Sequence, residues 1–83
     1  MNSPTEVFDL NLREALRELE QLIETQKHER LEDACIAVQL KGILWHLHAA
    51  WNGRTMSLDE ANQLSQEEFD QQGKTFPDFP GGW

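Results

Sequence analysis

The run from Leu31 to Gly53, LEDACIAVQLKGILWHLHAAWNG, constrains what this chain can fold into more than any other stretch. It carries the only cysteine, two of the three histidines and two of the three tryptophans. At about 100° per residue, Ile36, Ala37, Leu40, Ile43, Leu44, Leu47 and Trp51 share one broad face of a helix. Leu31, Cys35, Val38, Gly42, Trp45 and Ala49 share the other, and strips holding Glu32, Gln39 and His46 or Lys41, His48 and Asn52 separate the two. A helix apolar on two sides is sandwiched between neighbours. Asn52-Gly53 ends it, with Gly53 suited to a left-handed cap.

The preceding segment supplies one neighbour. Phe8, Leu12, Ala15, Leu16, Leu19, Leu22 and Ile23 form a single stripe, and mixed charges from Arg13 to Glu24 occupy the other side, the pattern of an amphipathic helix. Two starts compete for it: Ser3-Pro4-Thr5-Glu6, a capping box with proline at the first helical position, and Asn11 with Glu14. Between Thr25 and Asp33 the chain turns polar without glycine or proline, which leaves two architectures open. In one the chain reverses near Lys27 to Arg30 as an antiparallel hairpin. In the other a single helix runs from about residue 11 to residue 51 in an intertwined dimer. Gln26, Arg30 and Asp33 put three successive polar residues on the seam of the long helix, and this favours the hairpin.

After Gly53, Ser57-Leu58-Asp59-Glu60 and Ser65-Gln66-Glu67-Glu68 are two further capping boxes, predicting one or two short helices anchored by Leu58, Ala61, Leu64 and Phe69. The end, GKTFPDFPGGW, excludes a regular helix with its two X-Pro steps yet carries Phe76, Phe79 and Trp83. The expected protein is therefore all-α: an antiparallel helical hairpin, one or two short C-terminal helices and an extended aromatic tail. It divides into a helical domain over 1–72 and a tail over 73–83, the tail acting as an intramolecular strap or a docking motif.

With 83 residues a single domain buries only about 60% of its unfolded surface, and association is a common remedy at that size. A homodimer is the default expectation. Seven basic against fifteen acidic side chains give a net charge of −8, which disfavours nucleic acid and anionic membranes and suits a partner with a basic or apolar groove. One cysteine makes no internal disulfide, and MNSPTEVF has neither the basic region nor the apolar run of a signal peptide, so the cytoplasm is the expected compartment. Lys41, His46 and His48 break the longest apolar run, so no membrane span is expected.

No pattern of reactive residues points to catalysis or a cofactor. His46 and His48 diverge by about 200° on a helix. Cys35 and His46 are separated by about 16 Å along its axis, whereas metal ligands converge on one point. Cys35 lies in an apolar stripe with no cation beside it in the pattern, where a thiol is inert. Three function classes follow, beside a small enzyme whose groups would be assembled only at a dimer interface. The first is a non-enzymatic interaction module (adaptor, regulatory subunit or inhibitor) using Cys35, Val38, Gly42, Trp45, Ala49, Phe76, Phe79 and Trp83 as its partner or dimer interface. The second is a metal or ligand binder assembling His46, His48 and Cys35 across a dimer interface. The third is an acidic nucleic-acid mimic presenting Asp59, Glu60, Glu67, Glu68 and Asp70.

Overall fold

The computed structural model describes residues 5–74, 80 and 81. These form four α-helices: α1 (Glu6–His28), α2 (Asp33–Asn52), α3 (Leu58–Asn62) and α4 (Gln66–Lys74). Among the described residues there is no strand, so the protein is all-α. Ser3-Pro4 and the aromatic residues Phe76, Phe79 and Trp83 lie outside the described residues.

Helix α1 runs through Asn11 without a break, so the Asn11–Glu14 box does not start a helix. The Asn11 amide Nδ2 instead donates back to the Val7 carbonyl at 3.0 Å. At the start of α1, where backbone N–H groups lack intrahelical partners, the Val7 N–H donates to the Met56 carbonyl at 3.3 Å. That bond ties the first turn to the loop between α2 and α3. Helix α1 ends at His28, and residues 29–32 link it to α2, a length typical of helix–helix connections. Asn11 meets His46, Glu18 meets Gly42 and Val7 meets Gly53. Higher numbers on one helix thus face lower numbers on the other, and the two run antiparallel.

The helical phase in which they meet differs from the sequence expectation. Val7, Asn11 and Ala15 are buried while Glu18, Leu22 and Thr25 are partly covered, and these six define the edge of α1 turned inward. The apolar stripe of Phe8, Leu12, Leu16, Leu19 and Ile23 is displaced from that edge by about 100°. Phe8 and the four aliphatic residues remain 36–55% exposed. Helix α2 shows the same displacement: Ile43, Ala49 and Ala50 are buried, while Leu40, Leu44 and Leu47 of its broad face are 43%, 49% and 40% exposed. The stripe of helix one is therefore not the centre of its contact with helix two. Only Ala15 and Leu22, at its border, turn that way.

The cause lies in the other face of α2. Trp45 packs against Phe69 of α4 with ring centroids 5.4 Å apart and the rings tilted by 48°, and its indole lies against Gly73. Two α2 side chains also close the C-terminus of α4, whose last carbonyls have no intrahelical donor. His48 Nδ1 donates to the Gly73 carbonyl at 3.1 Å, and Asn52 Nδ2 donates to the Gln72 carbonyl at 2.7 Å. Helix α4 is thereby held on one side of the hairpin. Gly73 and Lys74, expected to open the tail, are its last two residues, so the boundary expected at residue 72 falls inside a helix.

Both short helices begin at the serines the sequence marks. Ser57 Oγ accepts from the Glu60 N–H at 3.2 Å. Ser65 Oγ accepts from the Glu68 N–H at 3.1 Å, and Glu68 Oε1 accepts in turn from the Ser65 N–H at 3.0 Å. The second pair is a complete capping box. Gly53, in contrast, is not left-handed: its φ is −105°. A Cβ there would come within 2.5 Å of Val7 Cγ1 and 3.1 Å of the Ala49 carbonyl. Close approach of α1, not backbone conformation, calls for glycine at this position.

Candidate functional site

The register set by Val7 with Gly53 and Glu18 with Gly42 brings Leu12 level with Leu47, Leu16 with Leu44 and Leu19 with Leu40. Because α1 and α2 run in opposite directions, displacements of similar size carry both stripes to the same side of the hairpin. That side is opposite α3 and α4. The result is a flat apolar face spanning two helices, with Phe8 and Trp51 at one end and Ile23 and Ala37 at the other. No charged residue interrupts it. Along its edges stand Asp9, Arg13, Glu20 and Lys27 on α1 and Lys41 on α2, and Asp33 closes the end of the α2 row one turn before Ala37, all exposed.

This face is large relative to what the chain buries. The buried apolar residues are Val7, Ala15, Ile43, Ala49 and Ala50, and no large side chain falls below 2% exposure. Three of those five are alanines. A core of that size is thin even for a small domain, whereas eight large apolar side chains stand open on the bare side. Scattered exposed leucines are ordinary, but a contiguous patch marks an interaction surface.

The residues expected at a partner interface separate in the structure. Ala49 is buried and Trp45 is half-buried under α4. Gly42 faces the Glu18 carboxylate, whose atoms lie 3.5–3.9 Å from the place of an added Cβ. Cys35 and Val38 are exposed at the loop end of α2, beside a shallow cleft with Ala34 and Gln39. The five residues therefore do not form one surface. The residues that do are led by Leu12, Leu16, Leu19, Leu40, Leu44 and Leu47, whose periodicity by itself equally suits an internal contact between two helices.

Asn11, His46 and Glu18 meet between α1 and α2. The Asn11 amide nitrogen is committed to the Val7 carbonyl, so Asn11 Oδ1 accepts the bond from His46 Nδ1 at 2.9 Å. That fixes the proton on Nδ1 and turns His46 Nε2 toward Glu18 Oε1, 3.8 Å away. Glu18 Oε2 is buried without a hydrogen-bond partner among the described residues. His48 is engaged with α4 on a different side of α2, so the two histidines do not converge. Among the described residues there is no cluster of three or more His, Cys, Asp or Glu side chains able to hold a metal.

A cleft of about 370 Å³ lies between α1, α2 and the short helices, lined by Val7, Leu10, Trp45, Leu58 and Phe69. Asn11 and His46 at its wall are already bonded to each other.

Of the acidic residues, Glu60 and Glu68 belong to the serine caps, and Asp70 accepts from Gln66 at 3.0 Å. The two bonds from Ser65 hold the Glu68 carboxyl below the usual carboxylate range. On α1, Arg17 lowers Glu14 in the same way. Such capping and pairing are ordinary uses of acids in helices.

Among the described residues no helix is long and apolar enough to cross a membrane. Compared with protein-family models, with curated proteins and with solved structures, the chain gives no significant match in any of the three.

Proposed function

We propose that this chain is a non-enzymatic protein–protein interaction module, working as an adaptor, a regulatory subunit or an inhibitor, and that the bare α1–α2 face is the surface it presents. The observation that carries the reading is the contrast between eight large apolar side chains left 36–55% exposed on one side and a core built mainly of alanines. Desolvating that face is worth about 25 cal/mol for each Å² of apolar surface covered. Two parallel rows of leucines are suited to receive further helices, whose ridges settle into the groove between α1 and α2.

The acidic side supports a role in steering. With a net charge of −8 and exposed Asp59, Glu60, Glu67 and Glu68 on α3 and α4, the molecule attracts basic partners over a Debye length of about 8 Å. Contact energy and long-range attraction are then located on opposite sides of the hairpin.

The test is a differential capture. Wild-type chain, the pair Leu16→Lys with Leu44→Lys, and the pair Glu67→Lys with Glu68→Lys are immobilised and challenged with native lysate. Loss of the bound polypeptide with the leucine pair alone is the expected result. Loss with the glutamate pair alone would move the interface to α4 and favour the acidic mimic.

A further inference from the structure

The bare face has a chemistry that selects its occupant. Resting on the interaction reading above, we propose that it is closed by the same face of a second copy, so that two α1–α2 hairpins form one four-helix core with the α3–α4 pairs outside. Area is the first argument. Phe8, Leu12, Leu16, Leu19, Ile23, Leu40, Leu44 and Leu47 at 36–55% exposure present on the order of 600 Å² per chain, so a pair covers about 1,200 Å², the lower bound of stable protein interfaces. Side chains lying between these rows add to that area when the face is closed.

Charge is the second. The molecule carries −8 overall, which by itself opposes self-association. Yet the edges of this face are balanced: Asp9, Glu20 and Asp33 stand against Arg13, Lys27 and Lys41. The excess negative charge lies elsewhere, much of it on α3 and α4, and faces outward when two bare sides meet. A strongly basic partner is drawn to the opposite side and finds no acid within the leucine rows.

Shape is the third. An isologous contact needs a surface complementary to itself, and two antiparallel rows of similar length and spacing present a central groove to two similar ridges. Every adjacent pair of helices in the resulting bundle is antiparallel when the two-fold axis lies in the plane of the face. Up-down bundles of this kind bury a leucine-rich centre. The C-terminal segment is a poor substitute. It offers Phe76, Phe79 and Trp83, three large side chains against eight.

Sedimentation equilibrium of the full chain tests the proposal. A dimer of the 9.6 kDa chain is expected. Leu16→Lys with Leu44→Lys should return it to single chains of undiminished helicity, because both positions are exposed within one chain. Leu58→Lys, on the α3 side, should leave the dimer intact. If the leucine pair unfolds the chain, a nitroxide at Lys41→Cys in a Cys35→Ser background decides the matter instead. Mixed with isotopically labelled chain, it should broaden the methyl signals of Leu40, Leu44 and Leu47 in the labelled copy, and sharp signals would overturn the proposal.

A wild-type chain that stays single at its highest soluble concentration also overturns it, and a dye for apolar surface then separates two cases. Dye bound to the single chain leaves the interaction reading standing with a different partner. A single chain that binds no dye removes both readings. A full-length chain with Phe76→Ser, Phe79→Ser and Trp83→Ser that dimerises where the wild type does not would name the tail as the occupant and overturn the proposal.

Discussion

The two sides of the α1–α2 hairpin differ in chemistry, and the short helix α4 lies on only one of them. On the covered side Trp45 reaches Phe69 and Gly73, and His48 and Asn52 bond the last carbonyls of α4. On the bare side Leu40, Leu44 and Leu47 stand beside Leu12, Leu16 and Leu19, each 38–55% exposed. The covered side combines one large aromatic, a glycine that admits it and polar groups at a helix end, all of them specific. The bare side is repetitive aliphatic surface, which any helix of matching pattern can satisfy. Apolar area alone does not decide which side a short helix occupies; hydrogen-bonding groups and shape do.

The largest expected effect comes from breaking the covered side. Trp45→Ala removes the indole from Phe69 and Gly73 and should cost about 3 kcal/mol, the lower end of the range for large aromatic truncations because Trp45 is half-buried. Gly73→Ala attacks the same contact from the other helix. Its Cβ would fall on the Trp45 indole, so a loss of about 1–3 kcal/mol is expected from overpacking. Urea unfolding followed by circular dichroism reads both. An unchanged midpoint in either variant would show that α4 is not held by this contact.

Removing the caps should have a smaller effect. Ser57→Ala leaves the Glu60 N–H without its acceptor, and an N-cap loss of this type costs about 1 kcal/mol. Ser65→Ala gives a titration readout. Glu68 is depressed by its bonds from Ser65, so its contribution to stability is present above the ordinary glutamate range and lost as pH falls through the lowered value. Removing the hydroxyl leaves the stronger bond, from the Ser65 backbone N–H, in place, and the Glu68 pKa, followed by NMR, should move part of the way back up. No movement would mean that the backbone N–H of Ser65 sets the value alone.

These caps were legible in the sequence because Ser-x-x-Glu is a local signal whose partners lie within one turn. So were the helices and the end of α1 near His28, since polar residues broke the apolar phase there. The pairing of faces was not legible. Periodicity gives the width of an apolar stripe but not the direction in which a neighbour approaches. The Asn11–His46 bond, 35 residues apart in sequence, draws a polar edge of α1 inward in a way no hydrophobic count anticipates. Gly53 and Gly73 illustrate the same limit: what requires glycine at each is a side chain from another helix, Val7 or Trp45.

Gly42 sharpens the comparison by being the exception. Gly42 stands seven residues from both Cys35 and Ala49, a spacing of small side chains that suits the close approach of another backbone. The nearest atoms to an added Cβ are instead the Glu18 carboxylate at 3.5–3.9 Å, which is ordinary contact. Gly42→Ala should therefore stabilise the chain by about 0.5–1 kcal/mol through helix propensity. A destabilised Gly42→Ala chain would mean that a neighbour comes closer in solution, as it would if this edge were itself an interface.

The smallest effect is expected from the bare side, provided the chain is alone. Leu16 is 55% and Leu44 49% exposed, so Leu16→Gln or Leu44→Gln, measured at a concentration too low for association, should change the unfolding free energy by no more than about 0.5 kcal/mol. At high concentration the same substitutions should cost more, because the unsubstituted chain gains stability by mass action when its leucines are covered by a partner. The diagnostic is the difference between the two conditions: Trp45→Ala removes a contact inside one chain and acts at every concentration, whereas Leu16→Gln acts only where two surfaces meet. A cost for Leu16→Gln that is large and independent of concentration would place its side chain inside a single-chain core and erase the distinction between the two sides.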